Sequence, residues 1–428
     1  MTGDAAWRGS HGLWERTAPP GPPTPALAGE ATAEVAVIGA GFTGLSAALH
    51  LAERGVDAVV LEAEAVGFGA SGRNVGLVNA GMWVMPDALA GALGPVHGPR
   101  LLALLGDAPA LVFDLVARHG IPCEAEPVGT LHCAVGRRGL AEIAARAAQW
   151  SRLGAPVDLL DAAETEARTG TRAYAGALLD RRAGTIQPLA YVRGLAAAAI
   201  AAGARVHGDS AVLATERAGG LWRLRTARGS VRASRVVAAT DAYTGAVWPE
   251  LRREQVGLPY FNVATPPLSG NLARSILPGR QGAWDTRSVL SHFRLDRAGR
   301  LIVGSVGALR GTGTTVHRAW ARRLIRRLFP QLGAVPFESE WYGRIGMTAD
   351  HLPRFHRPAE GVVSVSGYNG RGIAPGTVLG RELARLLTGE IDEADMALPL
   401  TPVGRAPARR IREAFIEAGA QLAHLPPR

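Results

Sequence analysis

The sequence predicts an α/β fold built on a parallel sheet, and three observations predict it. An apolar run ending in glycine, a helix-length segment and a second apolar run follow one another over residues 34–62. Strand-like and helical stretches then continue along the rest of the chain. Finally, 428 residues with 47% hydrophobic and 20% charged side chains suffice for two or three domains and a sizeable core.

The elements follow in order. Residues 1–30 are polar and Pro-rich and read as an extended arm, with no apolar leader region and no twin Arg. Glu34–Ile38 is expected to be a buried parallel strand, followed by a helix from about Thr43 to Arg54 that Gly55 ends, then a strand over Ala58–Glu62. Residues 86–170 read as largely helical, broken at Pro86, Gly94–Gly98, Pro122 and Pro156, and Pro188–Gly203 as an Ala-rich helix. Short strands are expected over Ala211–Glu216, Leu221–Thr226, Ser230–Arg232 and Arg235–Thr240, with a hairpin at Gly219-Gly220. Residues 255–310 alternate like strands, as in Leu301–Gly304. His317–Phe329 is an amphipathic surface helix, with Trp320, Leu324, Ile325 and Leu328 opposite Arg322, Arg323, Arg326 and Arg327. A strand over Gly361–Ser366, a Gly-rich turn, a helix from about Pro375 to Leu387 and a terminal helix complete the chain. The longest apolar stretches, such as Leu195–Ala202, fall short of a membrane span.

Composition excludes several chemistries. The 47 Lys and Arg residues are all Arg. Without Lys there is no P-loop, no Schiff-base or pyridoxal phosphate chemistry and no protein kinase strand Lys. The net charge of +10 permits a polyanionic partner, but the Arg residues are scattered, so a nucleic-acid partner is not expected. Cys123 and Cys133 have neither metal-ligand nor redox spacing, so no metal is expected and a reducing, cytoplasmic setting is.

Gly39-Ala40-Gly41-Phe42-Thr43-Gly44 matches G-x-G-x-x-G between the first strand and the first helix. Gly39 allows the tight turn, Gly41 lets the backbone approach a pyrophosphate, and Gly44 lets helix and strand pack. The pyrophosphate would sit on the helix N-terminus, where free N–H groups and the dipole favour an anion. Glu62, 18 residues after Gly44, suits a ribose-binding acid. The Gly-dense run Gly67-Phe68-Gly69-Ala70-Ser71-Gly72-Arg73-Asn74-Val75-Gly76 follows it and can wrap a larger, folded-out cofactor.

These two motifs resemble the FAD-dependent D-amino-acid oxidase superfamily, which includes glycine and sarcosine oxidases. The spelling Gly69-Ala70-Ser71-Gly72-Arg73-Asn74 and the arm Leu13-Trp14-Glu15-Arg16-Thr17-Ala18-Pro19-Pro20 are most similar to its gamma-glutamylputrescine oxidoreductase branch. The resemblance implies an α/β, Rossmann-type FAD-binding domain, with a parallel sheet and a small antiparallel one, plus an α+β substrate domain with an antiparallel sheet. The implied division is an arm over 1–30; an FAD-binding domain over 31–85, 180–255 and 336–400; a substrate domain over 86–179 and 256–335; and a helical tail over 401–428. It also implies that Val212 lies beside the adenine, that Ala239 and Thr240 return to the dinucleotide, and that Gly370, Arg371, Gly372 and Ile373 close over the flavin, their N–H groups stabilising its reduced charge.

Departures from the family pattern refine this. Where glycine oxidase-like enzymes carry W-x-G-x-R, this chain reads Trp341-Tyr342-Gly343-Arg344-Ile345. Ile345 replaces the guanidinium that would clamp a carboxylate, which argues for an amine without an adjacent carboxylate; Arg344 next door is the residue that could substitute. No Cys stands near Gly343 and no His at Arg73, the positions where relatives tether the flavin, so non-covalent FAD is expected. The missing Lys near the flavin favours a dehydrogenase or slow oxidase.

The reading is oxidation of a C–N bond by hydride transfer to flavin, giving an imine that hydrolyses to an aldehyde. Arg73 and Asn74 are candidates for tuning the flavin and His292 for a base, while Tyr260, Phe261, Trp341, Tyr342, Arg344 and Tyr368 are candidates for the substrate wall. Partners are a small-molecule amine and O2 or another electron acceptor. The alternatives are an amino-acid oxidase or dehydrogenase of the same fold and an RNA-docking flavoprotein.

Overall fold

The computed structural model of the chain describes residues 10–426. Two eight-stranded sheets carry it. In the first, Val362–Ser366, Gly229–Ala238, Gly29–Ile38, Ala58–Leu61 and Arg205–His207 lie parallel in that order, with Arg354–Ala359 antiparallel at one edge. The central strand explains its own composition. Val35 and Val37 enter one core and Ala36 and Ile38 another, so both faces are covered and the run is continuously apolar.

Gly229–Ala238 is one strand, where the sequence suggests two. Its first half pairs with Leu221–Arg225, which pairs in turn with Ala214–Ala218 through a hairpin whose Gly219 and Gly220 have φ of 59° and 80°. This hairpin is the expected small antiparallel extension. Val212 lies just before it, outside any strand.

The second sheet runs Ser339–Met347, Val256–Pro267, Arg300–Val306, Ser291–Leu295, Gly282–Asp285, Thr130–Cys133, Ala177–Asp180 and Val157–Leu160. All its pairs are antiparallel except Gly282–Asp285 with Thr130–Cys133. Phe261, Val263, Phe293 and Val303 pack one face against the helix Thr312–Leu328. Three expectations change here. Thr130–Cys133 and Val157–Leu160 are strands inside a region that reads as helical, because four-residue segments take their state from distant partners. Ser339–Met347, grouped by sequence with the first domain, pairs along Val256–Ala264 in the second sheet. The N-terminal arm is not wholly extended: Leu13–Thr17 is helical, and Leu13 and Trp14 are fully buried in the first core. The Trp14 indole N–H donates to the Asn74 carbonyl at 2.8 Å.

Two helices pack over the first sheet and position the site. Phe42–Ala52 is buried along its whole length, so it has no charged face, and its polar side chains Thr43, Ser46 and His50 are hydrogen-bonded. Ile373–Leu387 crosses it at glycines, where a Cβ on Gly380 would lie 2.5 Å from the Thr43 carbonyl oxygen. Among the described residues no helix is long and apolar enough to cross a membrane.

Candidate active site

A cavity of about 1190 Å³ lies between the two sheets and is lined from both, which is room for more than a drug-sized ligand. One end is the glycine turn after the first strand. Gly39 has φ 104°, and a Cβ there would come within 2.7 Å of the Ala239 carbonyl. Gly41 faces Ser71, whose hydroxyl accepts the Phe42 N–H at 3.0 Å. A Cβ on Gly44 would lie 2.0 Å from the Gly39 carbonyl oxygen, so this glycine serves helix-to-turn packing and does not line the cavity. The Glu62 carboxylate accepts the N–H groups of Ala40 at 2.7 Å and Glu64 at 3.1 Å, and burial pushes its pKa up. A carboxylate has about four acceptor positions, and with the Ala63 N–H also bonded to it capacity remains for a ribose hydroxyl.

Gly39, Gly41, Phe42, Thr43, Glu62, Gly69, Ala70, Ser71, Val212, Ala239 and Thr240 all line this end. Gly72 does not: it packs against the Gly67 carbonyl and the His11 ring. The helix opening at Gly41 has no acidic side chain in its first turn, and its N–H groups there lack intrahelical partners. A cradle without Cβ atoms, a helix N-terminus and a buried acid together fit the pyrophosphate and ribose of FAD.

The second cradle is the Gly367–Gly372 loop ahead of the helix Ile373–Leu387. The Gly367 N–H donates to the buried Asp241 carboxylate at 2.7 Å. Gly370 has φ 84°, and a Cβ there would come within 3.2 Å of Ile345. Gly370, Gly372 and Ile373 line the cavity as expected. Arg371 lines it too, but its N–H donates to the Tyr368 carbonyl at 3.0 Å and so is not available to a cofactor. The Tyr368 and Thr43 hydroxyls share a hydrogen bond at 2.7 Å, and the Ser46 hydroxyl donates to the Thr377 carbonyl at 2.6 Å. The two cradles are thus fastened to each other.

The remaining sequence candidates divide. Arg73 is buried, lies 4.4 Å over the Phe68 ring and hydrogen-bonds Tyr243. Asn74 lines the cavity, but its amide donates to the Ala70 and Ser71 carbonyls and its oxygen accepts the Gly76 N–H. That side chain closes a helix end and has no donor left for a flavin. His292 and Tyr260 line the cavity, stacked at 5.4 Å and joined by a 2.8 Å hydrogen bond. Burial, with Arg294 nearby, lowers the His292 pKa to about 3, so the ring is neutral at pH 7.

Trp341, Tyr342 and Phe261 do not line the cavity. Trp341 donates its indole N–H to the Arg73 carbonyl, Phe261 stacks on His317, and Tyr342 packs beside the second core. For Phe261 strand alternation is the reason, since it points to the face opposite Tyr260. Arg344 and Ile345 both line the cavity.

Sequence reasoning missed several lining residues, Asp241, Tyr243, His132 and Trp284 among them. Asp241 and Tyr243 stand inside a run read only for its backbone, and the Tyr243 hydroxyl accepts the Arg344 N–H at 3.1 Å. His132 and Trp284 stack at 5.0 Å across paired strands. No local pattern marks them, since their meeting depends on the pairing of segments far apart in the chain.

Comparison with known proteins agrees with this geometry. Residues 34–386 match the family described as FAD dependent oxidoreductase, DAO. The chain is 34% identical over 394 residues to gamma-glutamylputrescine oxidoreductase of Escherichia coli (strain K12), covering 91% of each chain. It is 31% identical to the probable oxidoreductase OrdL of Rhizobium meliloti (strain 1021), covering 97% of each. Among solved structures, glycine oxidase from Geobacillus kaustophilus superposes with a TM-score of 0.70 at 20% identity, over 85% of this chain and 96% of that one.

Proposed function

The chain belongs to the FAD dependent oxidoreductase family, and from that premise we propose that it oxidises the C–N bond of an amine such as gamma-glutamylputrescine. The observation that carries this reading is Ile345. It lines the cavity against Gly370 of the second cradle, so an aliphatic side chain stands where an adjacent-carboxylate clamp would be. The relative named gamma-glutamylputrescine oxidoreductase, matched over 91% of this chain, supports the same substrate class.

FAD, when bound, supplies the two-electron acceptor. The chain's residues do the rest. The substrate must shed its ammonium proton before its carbon can give up a hydride. The burial that keeps the His292 ring neutral also disfavours an ammonium beside it and helps release that proton. Tyr260 and Tyr368 line the pocket and orient the amine. The imine left after loss of hydride and proton takes up water and separates into an aldehyde and an amine or ammonia.

FAD is held without a covalent bond on this reading. Gly343 and Arg73, the two positions where relatives carry a tether, lie side by side, a Gly343 Cβ falling 3.0 Å from the Arg73 Cβ, and neither is Cys or His. Both cysteines are free and buried, which supports a reducing compartment such as the cytoplasm.

A second reading, an amino-acid oxidase or dehydrogenase, is favoured by Arg344, which lines the cavity beside Ile345. Anaerobic titration of the FAD-loaded protein with gamma-glutamylputrescine, putrescine, glycine and D-alanine separates the two. Bleaching of the flavin by the amines is expected. Bleaching by the amino acids and not by the amines would overturn the proposal.

A further inference from the structure

Arg371 was expected to serve the flavin, yet its side chain leads elsewhere. The residue is only 9% exposed, and among the described residues the guanidinium makes a single hydrogen bond, from Nη1 to the Ala80 carbonyl at 3.1 Å. Among the described residues its Nε has no partner, and no carboxylate lies within salt-bridge reach of it. Asp180, the acid that acts on it electrostatically, is engaged by Arg182 at 2.7 Å. A buried guanidinium nitrogen without a partner carries a desolvation cost, and because Arg371 lines the cavity a ligand there could offset it.

Its surroundings are built. The guanidinium lies 4.5 Å from the Trp83 ring centre and 5.5 Å from that of Trp284, in cation–π range of both. Trp83 is fixed by donating its indole N–H to the Asn369 carbonyl at 2.6 Å, and Arg146 holds the Trp83 carbonyl at 2.7 Å. His132 stacks on Trp284. The Trp284 Nε1 and His132 Nδ1 are buried without partners among the described residues, and both side chains line the cavity. Burial first, with Arg146 and Arg371 nearby, lowers the His132 pKa to about 3, so the ring is neutral.

The corner extends across the sheet from Ile345: the strand bearing Trp284 stands four pairings from the strand bearing Ile345, while Gly370, the neighbour of Arg371, packs against Ile345 itself.

We propose that Arg371, set between Trp83 and Trp284 beside His132, is a substrate-anchoring subsite for a carboxylate remote from the C–N bond that is oxidised. The substrate class is then an amine whose far end is a carboxylate. A planar guanidinium presents paired donors to a carboxylate, and Trp284 Nε1 adds another. The inference rests on the amine reading for the identity of the substrate, but the anion subsite does not depend on that reading.

The test uses the FAD-loaded protein, with Arg371→Gln and Arg371→Lys, glutarate as a carboxylate probe, and 5-aminopentanoate against pentylamine as substrates. Calorimetry should show glutarate binding to the wild type, weakened about 10- to 100-fold in Arg371→Gln, the range of a charge-assisted pair, and less in Arg371→Lys. The preference in flavin reduction for 5-aminopentanoate over pentylamine should fall by a similar factor. Absence of glutarate binding to the wild type overturns the proposal, as does an equal effect on both amines. Loss of flavin from both variants overturns it too, since the side chain would then serve the cofactor. If neither amine bleaches the flavin but glutarate binding still depends on Arg371, the amine reading fails and the subsite stands.

Discussion

Tyr368 shows how much one hydroxyl can link. Its ring lies in the second cradle, and its oxygen meets the Thr43 hydroxyl at 2.7 Å on the first helix. Burial raises its pKa, so it remains a neutral phenol at working pH. The sequence singled it out for a substrate role, and the structure adds a fastening role through a contact that no local pattern encodes. Tyr368→Phe should keep the wall and remove the link, costing about 1 kcal/mol of FAD affinity or stability. Equilibrium dialysis of FAD and thermal unfolding of the apoprotein would check it; no change in either would mean that the bond contributes nothing. Glu62 is the opposite case. Its chemistry and its distance from Gly44 could be read from sequence because the strand–helix–strand unit is local.

At the scale of elements, the crossing of Phe42–Ala52 and Ile373–Leu387 decides whether the two glycine-rich turns face one space. Gly376 and Gly380 sit on the second helix one turn apart, the first with its would-be Cβ 3.1 Å from the Thr43 hydroxyl, the second 2.5 Å from the Thr43 carbonyl. A backbone carbonyl cannot move aside cheaply, so Gly380→Val should force the helices apart. The expected outcome is a loss of about 1–3 kcal/mol in stability together with poor FAD retention, measured by thermal unfolding and flavin content. Normal retention would show that the cradles do not depend on this crossing. The sequence marked both helices, yet it read these two glycines only as parts of a helix, because the partner helix lies more than 300 residues upstream.

At the scale of the molecule, burial has left several histidines neutral in both halves. His132, His292 and His424 are lowered to about 3, and His11 and His317 to about 4, each first by burial. A histidine depressed in the folded state keeps its ordinary pKa of 6.5 when unfolded. The unfolded chain therefore binds more protons below that value, so stability is full above about pH 6.5 and is lost as pH falls towards 4. Each group contributes up to about 1.4 kcal/mol per pH unit in that window. The unfolding temperature should accordingly drop between pH 7 and pH 5, and a flat profile there would show these rings to be solvated. None of this was visible in the sequence, since burial of a histidine depends on what the fold packs over it.

By itself, the sequence determined the parallel-sheet architecture, the first cradle and the cofactor class, because glycine turns, a helix N-terminus and an acid at the next strand end all lie within one contiguous stretch. The tertiary structure alone decided that Trp341 supports the backbone instead of meeting substrate, that Asn74 closes a helix, and that Arg371 turns its side chain away from the second cradle towards Trp83 and Trp284. The Trp341 and Arg371 outcomes depend on contacts between segments hundreds of residues apart, which leave no periodicity along the chain, and the Asn74 bonds, though local, close a helix of a single turn that no pattern marks.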